Sequence, residues 1–121
     1  MITPRLFTFA AVLALITTAS AHGAETCQTV QGRMMLSNGT PSVRIWEIHT
    51  QRTLGVVQQD ETFGELPAPI RHTWSVRGVD SMWANDLLGD FRVCAEAPSS
   101  PGQMQMVRVV EGHSLKIASR R

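Results

Sequence analysis

The chain carries no large surplus of either charge. Eleven Lys and Arg stand against ten Asp and Glu, a net charge of +1 with neutral histidines. Such a balance offers no strong basic field to nucleic acid or to an anionic membrane. Its one basic cluster, Lys116, Arg120 and Arg121, reads as a solvated end. Long hydrophobic runs are missing too. The longest apolar stretch, Leu6 to Ile16, has eleven residues, and a membrane-spanning helix needs about 20. Helical periodicity is scarce: past the first 21 residues, no segment holds the i, i+3, i+4 apolar spacing over three turns. The familiar catalytic signatures are absent as well. There is no G-x-S-x-G, H-E-x-x-H, Walker loop or Rossmann fingerprint, and no C-x-x-C pair. These absences leave a small domain with no transmembrane segment, no nucleic-acid partner and no marked enzyme site.

What is present begins at the amino terminus. Arg5 and the terminal amine precede the apolar run, and "TTASA" follows with Ala19 and Ala21 in the A-x-A arrangement read by signal peptidase. Residues 1–21 are therefore expected to be a cleaved secretory signal, and 22–121 a single exported domain, periplasmic or extracellular. Cleavage after Ala21 makes His22 the first residue; cleavage after Ala24 is the alternative. In an exported chain, the lone pair Cys27 and Cys94 is expected to form a disulfide. Their separation of 67 positions makes that bond worth about 4 kcal/mol by loop-closure entropy.

The rest of the chain alternates in short runs broken by Gly, Pro, Asn and Asp. "CQTVQGRMML" reads as a strand, with Gly32 a bulge or close-approach point. Asn38-Gly39 marks a turn. "SVRIWEIH" reads as a strand with Val43 and Ile45 on one face and Trp46 and Ile48 on the other, apolar on both sides and so central. "RTLGVVQQ" is its hairpin partner. "RHTWSVRG" alternates and is expected to be a strand that places His72, Trp74 and Val76 together. "VDSMWANDLLGD" holds a short helical turn capped by Asp80 or Ser81. "GDFRVCAEA", "MQMVRVVE" and "HSLKI" complete about seven strands, the last two joined at Gly112. The expected fold is all-β: a small immunoglobulin-like or transthyretin-like β-sandwich, with a closed small barrel as the alternative architecture.

"VQGRMMLSNGTPSVRIWEI" resembles the opening of transthyretin-like and carboxypeptidase-regulatory-like modules, and "LLGDFRVC" is similar to a later strand of such modules. The resemblance covers about half of residues 22–121 and implies a β-sandwich; no ligand residue carries over from it. A true immunoglobulin domain fits less well. Trp46 lies between the cysteines, but Arg92 stands where that fold places a Tyr, and the chain has no Tyr at all.

Candidate chemistry is sparse. Asp60-Glu61 are adjacent carboxylates that point apart in extended chain. Asp80, Asp86 and Asp90 crowd one expected loop without the alternate-residue spacing of a calcium site. An amino-terminal His22, offering amine and imidazole, forms a nitrogen site for copper if His49, His72 or His113 folds beside it. Met104 and Met106 add thioethers suited to Cu(I). Asn38-Gly39-Thr40 fits the glycosylation acceptor pattern. Trp46 and Trp74 are expected in the core, whereas Trp83 and His72 are the surface candidates for a ligand or partner. The leading expectation is a non-enzymatic binding or interaction domain without cofactor, its partner a protein or small molecule. A periplasmic copper-binding protein is the alternative.

Overall fold

The computed structural model describes residues 26–58 and 65–120. The expected signal segment 1–21, His22 and the Asp60-Glu61 pair lie outside the described residues. Five strands are found among them: β1 (Cys27–Leu36), β2 (Val43–Glu47), β3 (Thr53–Val56), β4 (Asn85–Ala95) and β5 (Gln105–Ser119). Two short helices, α1 (Ala68–Trp74) and α2 (Ser81–Ala84), connect β3 to β4. The strands close into a barrel in the order β1-β2-β3-β5-β4, and β4 pairs back onto β1. Every neighbouring pair is antiparallel except β3 with β5, which run parallel. Closure gives each strand two partners and removes exposed sheet edges.

The all-β class is as expected, but the architecture is a five-stranded closed barrel where a seven-stranded sandwich was anticipated. Two segments account for the difference in number. "RHTWSVRG" is not a strand: its first half belongs to α1. Pro69 lies in the first helical turn, where a missing N–H costs nothing, and the helix buries Ile70 and Trp74, four residues apart. Trp74 is core, while His72 stays exposed on the same helix. The expected "MQMVRVVE" and "HSLKI" strands are one continuous strand, β5. Gly112 does not break it. Instead, Ile70 of α1 packs within 2.7 Å of where a Cβ on Gly112 would sit. Register shifts against β4, between Leu88 and Asp90 and between Arg92 and Val93, let the long pair bend around the barrel.

Other readings hold. β1 coincides with "CQTVQGRMML", and Gly32 is a point of close approach: a Cβ there would lie 2.6 Å from Ile45 Cγ2. Ser37 N–H donates to Ser42 C=O at 2.7 Å across the Asn38-Gly39 turn. The short helical turn at Ser81 is α2. The residues that carried the transthyretin-like resemblance form β1, its following loop, β2 and much of β4. Alternation sends Val30, Met34 and Leu36 of β1, Val43 and Ile45 of β2, and Phe91 of β4 into one hydrophobic core, joined by Ile70 and Trp74. Cys27 and Cys94 stand directly opposite each other in the β1–β4 ladder, Cα atoms 4.0 Å apart, and form the expected disulfide.

Candidate functional site

The outward-facing residues of the barrel form two rows that can be read from the strand registers. The first runs Lys116 (β5), Leu88 (β4), Arg33 (β1), Trp46 (β2), Thr53 (β3). The second holds Ala118 (β5) opposite Asp86 (β4), then Met35 (β1), Arg44 (β2), Gly55 (β3) and Met106 (β5). Trp46 is the unexpected member. The sequence reading placed it in the core, but it is 38% exposed, because it shares its face with Arg44 and not with Val43 and Ile45. Ile48, next on that side, is also exposed.

At the β3 end this wall is covered. Gly55 has no side chain, and the space beside it is filled by Pro41 Cγ of the β1–β2 loop, 2.7 Å from the position of a Cβ, and by the sulfurs of Met106 of β5 and Met104 of the β4–β5 loop at 2.6 and 3.0 Å. The open part of the wall therefore lies over β1, β2 and β4. Arg44 is steadied at its edge by donating Nε–H to Pro41 C=O at 3.1 Å.

The β4 end of the wall is charged. Asp86 faces outward from β4 yet is only 2% exposed, because two arginines close over it. Arg33 Nη1 donates to Oδ2 at 3.0 Å, and Arg120 Nε donates to Oδ1 at 2.9 Å. Arg120 also donates Nη2–H to Leu36 C=O at 2.8 Å, which ties the end of the described chain to β1. A cleft of ≈ 480 Å³ opens here, lined by Arg33, Met35, Asp86, Ser119 and Arg120. The two rows carry Arg33, Arg44 and Lys116, and Arg120 follows β5; Arg33 and Arg120 contact Asp86, while Asp90 lies two residues beyond Leu88 on β4, opposite Gln31 of β1. The Asp86 corner thus sets two guanidinium groups against one carboxylate.

The other polar clusters are structural or lack an aromatic neighbour. Glu47 accepts from Arg52 Nε at 3.2 Å, and Arg52 Nη1 donates to Gln105 Oε1 at 3.3 Å, joining the β2–β3 hairpin to β5. A cleft of ≈ 500 Å³ borders Gln28, Ala95 and Gln105, and one of ≈ 480 Å³ borders Glu65, Glu96 and Arg108; no aromatic side chain lines these or the Arg33–Arg120 cleft, which differs in that Arg33 is the cross-strand partner of Trp46.

The residues singled out from sequence are dispersed. His72 is exposed on α1; His113 on β5 pairs with Glu111 at 3.1 Å, and His49 lies 2.8 Å from Gln31 Oε1. Met104 and Met106 do converge, over Gly55. Among the described residues, no three His, Cys, Asp or Glu side chains are grouped to hold a metal ion. Asp80, Asp86 and Asp90 do not crowd one loop: Asp80 precedes α2, and the other two lie on β4. Trp83 is 46% exposed on α2, with Val76 and Val79 exposed nearby in sequence. What sequence reading missed was the outer wall. Its signal was the shared parity of Arg44, Trp46 and Ile48, where an arginine two residues before a tryptophan marks a solvent-facing side. The pairing of Asp86 with Arg33 and Arg120 spans 53 and 34 residues and has no local signature. Compared with known proteins, the chain matches no family model, no curated protein and no solved structure.

Proposed function

We propose that this protein is an exported, non-enzymatic binding domain that receives its ligand on the outer wall over β1, β2 and β4. The observation that carries this reading is Trp46, a large aromatic held 38% exposed on a strand with partners on both sides, between Arg33 and the Thr53 edge. A tryptophan in that position combines a backbone paired on both sides with a side chain partly open to solvent, and aromatic residues are favoured at binding hot spots. The connectivity adds support. A five-stranded barrel with β1 between β2 and β4, β3 parallel to β5, and a helical link from β3 to β4 is that of the oligonucleotide/oligosaccharide-binding fold. That fold takes ligands on its β2–β3 face and on the loops that here run 37–42 and 96–104; the wall shares β2 and Trp46 with that face, while the β3 end is covered by Pro41, Met104 and Met106. Fold alone assigns no ligand; the exposed Trp46 and its cationic neighbours do that work. Export is supported by the signal-like residues 1–21 and by the Cys27–Cys94 disulfide, which persists in oxidising compartments.

The test is an array of glycans and peptides probed with labelled protein in wild-type and Trp46→Ala forms. The wild type is expected to give ligands whose signal falls about tenfold or more in the variant, the loss expected of a stacking anchor. Equal signals from both forms, with far-UV circular dichroism unchanged, would remove the wall from consideration.

A further inference from the structure

The cationic corner beside Trp46 names the chemistry of the ligand; this step rests on the wall being the binding surface. We propose that Arg33 and Arg120, held by Asp86, form a carboxylate-binding subsite, and that the wall takes an acidic saccharide whose ring stacks on Trp46.

Asp86 acts as a fixed anchor beneath two guanidinium groups. Each of its oxygens accepts from a different arginine, so one buried negative charge is opposed by two positive ones. The surplus charge faces outward, because both arginine side chains are 35% exposed. Arg33 uses only Nη1 in this contact, and Arg120 uses Nε and Nη2 for Asp86 and Leu36. A guanidinium carries five N–H donors, so both forks keep donors for a ligand. They also keep their planar geometry, which matches a carboxylate in a two-bond arrangement. Ser119 lines the same cleft.

The distance to Trp46 suits one sugar ring. Arg33 and Trp46 are direct cross-strand partners on the same face, and adjacent strands lie about 4.8 Å apart. Arg33 turns Nη1 to Asp86 of β4, on the side of β1 away from β2, so a pyranose stacked on Trp46 has to reach across one strand spacing to present an exocyclic carboxylate to the donors that Arg33 keeps. The sugar's C–H groups meet the negative face of the ring. A nucleic-acid strand fits the wall poorly. It needs successive stacking platforms and a groove that tracks several phosphates. Here Trp46 is the only aromatic of the two rows; Trp74 is buried, Trp83 sits on α2, and the chain's net charge is +1.

The experiment uses tetragalacturonic acid, its methyl ester and an eight-nucleotide oligothymidylate, each titrated by isothermal calorimetry and tryptophan fluorescence. The acid is expected to bind, with affinity that falls as salt rises. Methyl esterification, or Arg33→Gln, is expected to weaken it about tenfold or more, the loss expected for a charge-assisted bidentate contact. Arg33→Lys keeps the charge but not the fork and should fall between. Thermal melts and circular dichroism show that each variant is folded. Equal binding of acid and ester, both lost in Trp46→Ala, would overturn the subsite and leave the wall standing. Tighter binding of the oligothymidylate than of the acid would overturn the saccharide assignment. Absence of binding by both acid and ester would overturn it as well, and the array with Trp46→Ala then decides the wall by itself.

Discussion

Replacing both cysteines, Cys27→Ala with Cys94→Ala, tests the closure of the barrel most directly. The two residues are opposed at one end of the β1–β4 ladder, which continues through the partners Gln28 with Val93 to Met34 with Leu87. β1 is also paired with β2 from Gly32 to Leu36. The native register thus has ample support without the bond, and the main effect of its removal falls on the unfolded chain. A separation of 67 residues gives a loop-closure loss of about 4 kcal/mol at 25 °C. A domain of this size has about 5–15 kcal/mol of net stability, so the variant should stay folded at 25 °C but with a much lower midpoint. Urea denaturation followed by the emission of buried Trp74 measures both quantities. The stability in water should fall by about 3–5 kcal/mol, and the m-value should rise, because a chain without the link exposes more surface when unfolded. A loss below about 1 kcal/mol with an unchanged m-value would refute the reasoning, for it would mean that the unfolded chain is no less restricted without the bond.

Two further substitutions probe the packing that shapes the wall from behind. Gly32→Ala puts a Cβ 2.6 Å from Ile45 Cγ2 and 3.0 Å from the Trp46 carbonyl oxygen. A β-branched neighbour and a paired backbone yield little, so overpacking of about 1–3 kcal/mol should outweigh the roughly 0.4–1 kcal/mol gained from a stiffer unfolded chain; a neutral or stabilised variant in chemical denaturation would contradict the close approach. Ile70→Ala removes the fully buried contact of α1 with Gly112 of β5 and should cost about 2–5 kcal/mol, a large-to-small loss. A cost under about 1 kcal/mol would mean that α1 does not dock on the barrel in solution.

The parts legible in sequence were those with local physical signatures. β1, the turn at Asn38-Gly39, β2, β3 and the α2 turn each announce themselves through alternation, a Gly-containing turn or a cap, and the structure has them where they were expected. The disulfide followed from counting cysteines in a chain with a signal-like start. The misreadings share one cause, which is that short patterns are ambiguous in period. In "APIRHTW", Ile70 and Trp74 are four apart and also of equal parity, so the pattern fits a helix and a strand equally. Tertiary packing on Gly112 decides for the helix. Gly112 was read as a break between strands, yet its missing side chain accommodates that same Ile70. The number of strands followed from these two residues, whereas the barrel rests on the long-range pairings of β1 with β4 and β3 with β5. The charged corner was illegible for a different reason. Asp86, Arg33 and Arg120 are ordinary surface residue types, and only the register of β1 with β4 and the return of the chain after β5 place them together.

That the ligand is sought outside the barrel follows from its size. Even an eight-stranded barrel has an interior barely wide enough for its own side chains, and five strands enclose less. Met34, Ile45, Leu54, Leu87 and Phe91 occupy that space with no exposure. Chemistry inside would need polar side chains there, yet among the described residues the buried polar ones are Glu47, paired with Arg52, and Asp86, which faces outward under two arginines. A buried carboxylate on an outer face is costly unless its partners are fixed by it. A hydrophobic residue at 86, covered by Met35 and the stems of Arg33 and Arg120, would close the same surface without burying a charge. What Asp86 adds is orientation: it fixes two guanidinium planes that would otherwise sample many rotamers. Fixed forks beside an exposed ring are pre-organised for binding, since less side-chain entropy is lost when a ligand arrives.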